Sequence, residues 1–194
     1  MRAHPVSHTH AALPLAMAIA TLLSAPASAQ DTGPAHPGAP RPAAIAIPAA
    51  MKAEHDAIHQ RLVRATRAPG RTGEAARALA AVLHPHFVRE EQIALPPLGL
   101  LAPLARGEFA PELTAVLPLT DSLRAELPRM LQEHKAIHAA TAHLGEVARS
   151  ESNAEAADLA ATLAGHAEAE EELFYPAALL VGEVVRTRAA AHRR

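Results

Sequence analysis

The sequence predicts an all-α fold: a four-helix, up-down-up-down bundle with a pseudo-two-fold internal repeat. Three observations carry this. The chain of 194 residues is rich in alanine and leucine and holds three Phe, one Tyr and no Trp, a composition that suits helices packed closely together and leaves few stretches that alternate like strands. Apolar residues recur three and four apart, as in Leu79, Leu83 and again in Leu159, Leu163, the spacing of a buried helical stripe. A pair of motifs then occurs twice. Glu54-His55-Asp56-Ala57-Ile58-His59 returns as Glu133-His134-Lys135-Ala136-Ile137-His138, and His86-Phe87-Val88-Arg89-Glu90 returns as His166-Ala167-Glu168-Ala169-Glu170. His55 and His134 are 79 positions apart, His86 and His166 80, so the halves match in register to within one residue, as two helical hairpins would.

Residues 1–29 read as a secretory signal peptide. Arg2 precedes an apolar run from Leu13 to Leu23, and Ala27-Ser28-Ala29 fits the small-residue cleavage pattern, too short and wrongly flanked for a membrane span. Cleavage is expected after Ala29, with a periplasmic or secreted mature chain that has no membrane partner. Residues 30–47, rich in Pro, Ala and Gly, form a linker.

The bundle is expected over residues 48–182. Its first helix starts at Pro48 or Ala49, where proline suits the first turn, and runs to Arg67. Residues 68–73 cluster Pro and Gly and read as a turn. The second helix is expected from Gly73 to Leu95, stopped by Pro96-Pro97, with Leu79, Leu83, His86, Glu90 and Ile93 inward. Residues 96–119 offer only short helical pieces. A third helix over Asp121–Arg149 places Leu127, Leu131, His134 and His138 inward, and Pro85 and Pro128 are points where the second and third helices can kink. Ser152-Asn153 can cap the fourth, which points Leu159, Leu163, His166, Glu170 and Leu173 inward up to about Tyr175. A short helix after Pro176 completes the domain, and residues 183–194, which hold Arg186, Arg188, Arg193 and Arg194, read as a solvated basic tail.

Formal charge is -2 with histidine neutral, and the cations are interspersed with acids. That excludes the basic stripe a nucleic-acid partner requires. The absence of cysteine removes disulfides and thiolate metal sites.

The chemistry-bearing residues are His55, His59, His86, Glu90, His134, His138, His166 and Glu170. Residues four apart on a helix share a face, so each HxxxE pair aims an imidazole and a carboxylate at one point. A single such pair among thirteen histidines is weak; four successive helices repeating the pattern on their apolar stripes point to a buried metal centre, since uncompensated polar burial costs many kcal/mol. His84 and His143 fall on the opposite faces of their helices and should point outward. Glu54, Glu91, Glu133 and Glu171 neighbour the proposed ligands and read as solvent-facing or as outer hydrogen-bond partners of the imidazoles. Phe87, Phe174 and Tyr175 read as packing. Imidazole and carboxylate without thiolate favour iron, manganese or zinc over copper(I), and the ligand count favours two ions.

At these residues the chain resembles the hemerythrin-like family, the HHE cation-binding domain. The likeness covers about residues 48–180 and rests on EH in the first helix, HFxxEE in the second, EHxxxH in the third and HxxxEExLFxP in the fourth. A ferritin-like bundle is disfavoured because its motif runs ExxH. The resemblance implies two non-haem, oxo- or hydroxo-bridged iron ions, with His134, His138 and His166 on one, His55 and His86 on the other, and Glu90 and Glu170 bridging. His59 departs from the oxygen-carrying members: as a ligand it would close the position that oxygen needs, and otherwise it could stand beside bound dioxygen. The expected role is binding or sensing dioxygen or a related small diatomic ligand. A di-iron redox enzyme, peroxidase-like or nitric-oxide-handling, and an iron storage or delivery protein are the alternatives, and no redox partner is indicated by the sequence.

Overall fold

The computed structural model describes residues 45–193. The expected signal peptide, its cleavage site after Ala29 and most of the 30–47 linker lie outside the described residues. Four long helices form the bundle: α1 (Ala49–Ala65), α2 (Gly70–Arg89), α4 (Leu117–Ser150) and α5 (Ala154–Ala169), with a five-residue α3 (Leu101–Ala105) in the crossover and α6 (Tyr175–His192) at the end. Around the bundle the order is α1, α2, α4, α5, with each helix packed on the next and α5 back on α1. Among the described residues, no helix is long and apolar enough to cross a membrane.

Local chemistry sets the ends. Pro48 precedes the first residue of α1. Gly70 opens α2 at φ +69°, a left-handed conformation that favours glycine. Asn153 caps α5, its side chain accepting from the Ala156 amide at 3.0 Å, which supplies one of the partners a helix start lacks. Helix α4 starts four residues earlier than expected and passes through Pro128, as α2 passes through Pro85.

Both repeats leave the α-helix at the same place. Glu90–Ala94 and Glu170–Phe174 each form one π-helical turn, in which the Leu95 and Tyr175 amides donate to the carbonyls of Glu90 and Glu170, five residues back. Pro96 and Pro176 follow directly, and a widened turn relieves the clash between a proline ring and the carbonyl four residues before it. The extra residue rotates everything downstream. Ile93, expected inward, is half-buried and Leu173 is 62 % exposed, while Leu95 and Tyr175 are 0 % and 1 % exposed. The inward lines of α1 and α4 also differ from expectation. They run through His55, Ile58 and Leu62, and through Met130, His134 and Ile137, so the isoleucine three residues beyond each histidine takes the core and the histidine four beyond flanks it.

The interior is layered. Ile58, Leu62, Leu79, Leu83, Ile137, Leu144, Leu159 and Leu163 form the apolar layer at the hairpin-turn end; Leu95, Leu123, Met130 and Tyr175 belong to a second layer at the other. Each fully buried leucine or isoleucine contributes about 1.5–3 kcal/mol of transfer free energy. The histidines and glutamates lie between these layers. Beyond Gly182, α6 does not become a free tail: Val185, like Val181 before it, packs on Leu100, Leu104 and Val116. Arg186 bridges Asp121 at 2.5 Å, and Arg188 donates to the Glu108 carbonyl at 3.1 Å. At the other end Ile47 and Ile45, the last residues of the expected linker among those described, pack on the second and third layers.

Candidate metal centre

Six polar side chains converge between the apolar layers: His55 from α1, His86 from α2, His134 from α4, His166 from α5, and Glu90 and Glu170 from the first residues of the two π-turns. All six are buried. They fall into two groups with ligand atoms within 4.8 Å of one another: His86, Glu90, His134 and Glu170, and His55, His166 and Glu170. Each carboxylate divides its oxygens between the two histidine pairs. Glu90 Oε1 is 3.4 Å from His86 Nε2 and Oε2 3.9 Å from His55 Nε2. Glu170 Oε1 is 2.8 Å from His166 Nε2 and 3.5 Å from His55 Nε2, while Oε2 is 3.6 Å from His134 Nε2. The pairing is thus His86 with His134 and His55 with His166, because α2 packs on α4 and α1 on α5. The resemblance implied a different partition.

Left to themselves these groups are poorly satisfied. Both nitrogens of His55, His166 Nε2, Glu90 Oε2 and Glu170 Oε1 are buried without a hydrogen-bond partner, a cost of about 1–3 kcal/mol for each neutral group and more for a charged one. Nitrogen and carboxylate oxygen atoms converging this closely in an apolar interior suit a shared cation. The all-nitrogen-and-oxygen donor set fits iron, manganese or zinc.

A second tier of carboxylates orients the imidazoles. Glu54 of α1 faces His166 Nδ1 of α5 at 3.2 Å, and Glu171, which follows α5, faces His134 Nδ1 of α4 at 2.7 Å. Glu133 of α4 faces His86 Nδ1 of α2 at 3.0 Å, and Glu91, which follows α2, faces His55 Nδ1 of α1 at 3.4 Å. The contacts run once around the bundle in one direction. The contacts at His86, His134 and His166 assign Nδ1 to the outer carboxylate and leave Nε2 pointing inward, the arrangement that fixes tautomer and ring direction in metal-binding histidines, while Glu91 faces His55 Nδ1 without a hydrogen bond. Phe87 stacks on His55 with ring centroids 4.1 Å apart.

The electrostatics of the cluster's own groups follow from crowding charges in an apolar interior. Burial and the neighbouring Glu170 charge push the Glu90 carboxyl up, while Glu170 is held below the usual carboxylate range because His166 and His55 outweigh its burial. Burial opposes charge on His166 as well, yet Glu170 and Glu54 raise it to about 9. His134 is lowered by burial and by the charge on His86, against the pull of Glu171.

Two of the eight residues singled out from the sequence stand outside the cluster. His59 is exposed on α1, its ring 5.9 Å from that of His84 on α2. The His138 side chain is 38 % exposed and meets Glu171 at 3.5 Å; these two and His134 form a shallower third group. His84 and His143 are exposed, as their helical positions imply.

Tyr175 is the participant that sequence reasoning passed over. Its buried hydroxyl donates to Glu90 Oε1 and lies 3.1 Å from His134 Nε2 and 3.4 Å from His86 Nε2. Nine residues beyond His166, a regular helix would carry it to the far side; the π-turn brings it in. The repeat held the signal, since Tyr175 matches Leu95, each five residues after the glutamate and one before a proline.

The fold and site define an all-α four-helix bundle with buried histidine–glutamate clusters that could hold metal ions. No protein-family model, curated protein or solved structure matches the chain.

Proposed function

We propose that this is an exported, periplasmic or secreted, non-haem di-iron protein that binds or senses dioxygen or a related small ligand. Four histidines would hold the ions, two to each, with Glu90 and Glu170 spanning them. The observation that carries the reading is the division of each carboxylate's oxygens between the two histidine pairs, the arrangement two ions sharing both carboxylates require. Two ferrous ions so held would supply the electrons by which dioxygen is bound reversibly. The chain's own residues do the rest. The outer glutamates hold the imidazoles in the ligating tautomer, the apolar layers exclude bulk water, and Glu90 and Glu170 would offset half of the charge of two ferrous ions.

The test loads the mature protein anaerobically with ferrous iron and follows the visible spectrum on adding air and then azide. About two irons per chain and an oxygen-dependent band altered by azide are the expected result. Lack of iron uptake would sink the assignment. Rapid loss of iron to a chelator would turn the reading toward storage or delivery, and sustained turnover with an added reductant toward a redox enzyme.

A further inference from the structure

Each half of the centre pairs two imidazoles with the shared carboxylates, but only one half has a hydroxyl against it. The hydroxyl of Tyr175 lies against both imidazoles of the His86–His134 pair and donates to Glu90 Oε1, the oxygen that faces His86. The matching residue of the first repeat is Leu95, whose alkyl chain offers no donor or acceptor. The inward nitrogens differ accordingly. His86 Nε2 and His134 Nε2 are engaged by the phenol and by each other at 2.7 Å, whereas His55 Nε2 and His166 Nε2 face the shared carboxylates, with Glu170 Oε1 at 3.5 and 2.8 Å.

Access is unequal as well. A groove of about 170 Å³ between α1 and α2 reaches inward to His55, with His59, His84, Val88 and Glu91 on its walls. Lys52 on its rim pairs with Asp56 and with Glu91 at 3.7 Å, so its charge is taken up by two carboxylates and the size of the groove, not attraction at the mouth, admits a small ligand. Tyr175, by contrast, is closed over by the apolar layer of Leu95, Met130 and Ala178.

We propose that Tyr175 closes the metal position between His86 and His134 to outside ligands, so that a small anionic or diatomic ligand meets the centre only between His55 and His166, by way of the α1–α2 groove. The inference rests on the di-iron reading above. Tyr175 is a positioning residue in this scheme: its hydroxyl fills the space that a ligand oxygen or nitrogen would need, and its bond to Glu90 fixes which carboxylate oxygen serves each side.

The experiment uses the protein loaded with isotopically enriched iron, oxidised and titrated with azide, each iron being followed by its Mössbauer doublet. Metal analysis comes first: a chain that takes up no iron removes the di-iron reading and this inference with it. With two irons bound, native protein should take about one azide per chain and shift one doublet. Tyr175→Phe, which keeps the ring and removes only the hydroxyl, should take about two and shift both. A native protein in which both doublets respond, or neither, overturns the inference while leaving the di-iron reading standing, and so does a variant that titrates like the native chain. Val88→Trp tests the route independently, because Val88 is 43 % exposed and its enlargement leaves the core alone. Azide association should slow at least tenfold with the final spectrum unchanged, and an unaltered rate counts against the groove.

Discussion

Glu133 holds His86 across the gap between α4 and α2, its Oε2 3.0 Å from the imidazole Nδ1 and 2.7 Å from Arg89 Nη1, while Oε1 meets Arg129 at 3.0 Å. The two arginines pin the carboxylate, and the carboxylate pins the ring. Because the same relationship recurs between α2 and α1, α1 and α5, and α5 and α4, the four imidazoles are oriented by neighbours rather than by their own helices.

Glu133→Ala should therefore weaken metal binding by about 10–100-fold, the usual consequence of removing such a partner. Competition against a chelator of known affinity measures it. Glu133→Gln keeps an acceptor and should lose less. An unchanged affinity in both variants would mean that packing alone holds the His86 ring.

Metal uptake should depend on pH through His166. Burial works against its charge, but Glu170 and Glu54 hold it protonated up to about 9. An incoming ion needs the Nε2 lone pair and must release that proton, so apparent affinity should fall about tenfold for each pH unit below 9. The same raised value stabilises the metal-free fold in full below about 6.5, and this contribution is lost as pH rises through about 9. Chelator competition across this range decides: a flat affinity would remove His166 from the ligands.

The helices and the six polar residues that converge in the interior could be read from the sequence, because apolar spacing and the doubled motifs report helical faces directly. What could not be read came from departures from the 3.6-residue period. One extra residue at Glu90 and at Glu170 turned Ile93 and Leu173 away and brought Leu95 and Tyr175 in. His59 and His138, expected to point inward, lie outside the buried cluster for a subtler reason. Positions three and four beyond a buried residue both lie near its face, and at Ile58 and Ile137 the apolar neighbour holds the inward place. Residues 183–192 looked like a tail because their arginines carry the charge of one; the carbonyls and Asp121 that receive them are distant in sequence.

Single substitutions separate the inner from the outer histidines. On the di-iron proposal, His59→Ala and His138→Ala should each bind about two irons per chain with affinity within about twofold of native, since both side chains reach solvent. His55→Ala and His134→Ala each remove an inner nitrogen and should drop the content to about one or less. Metal analysis of the four purified variants is sufficient, and loss of iron from His59→Ala would place that residue back among the ligands.

Glu151 ties the end of α4 to the start of α2. It accepts from the Thr72 amide at 2.9 Å, the Thr72 hydroxyl at 2.7 Å and the Arg71 amide at 3.1 Å, and these bonds hold its carboxyl down to about 2. A depressed value means stability present above the unfolded pKa of about 4.3 and lost as pH falls toward 2. Glu151→Ala should thus lower Tm by roughly 2–4 °C at neutral pH, and the difference from native should shrink through this window. A deficit that persists at pH 2 would assign the effect to packing instead of the charge.

The docking of α6 on α4 turns on the smallest residue at their contact. A Cβ placed on Gly182 would lie 2.7 Å from Thr120 Cβ and 3.1 Å from its Cγ2. Thr120 is buried at 1 % exposure, and its hydroxyl already donates to the Leu117 carbonyl at 3.1 Å, so it has no room to yield. In an exposed helix, Gly to Ala gains up to about 1 kcal/mol of helix preference. Here overpacking of about 1–3 kcal/mol opposes that gain and exceeds it over most of the range, and Gly182→Ala should be net destabilising in denaturant titration of the metal-free chain. Adding Thr120→Ala removes Oγ1 and Cγ2 but leaves the Cβ, so it should restore part of the loss and no more. A net gain in stability from Gly182→Ala alone would show that α6 beyond this point is not held against the bundle.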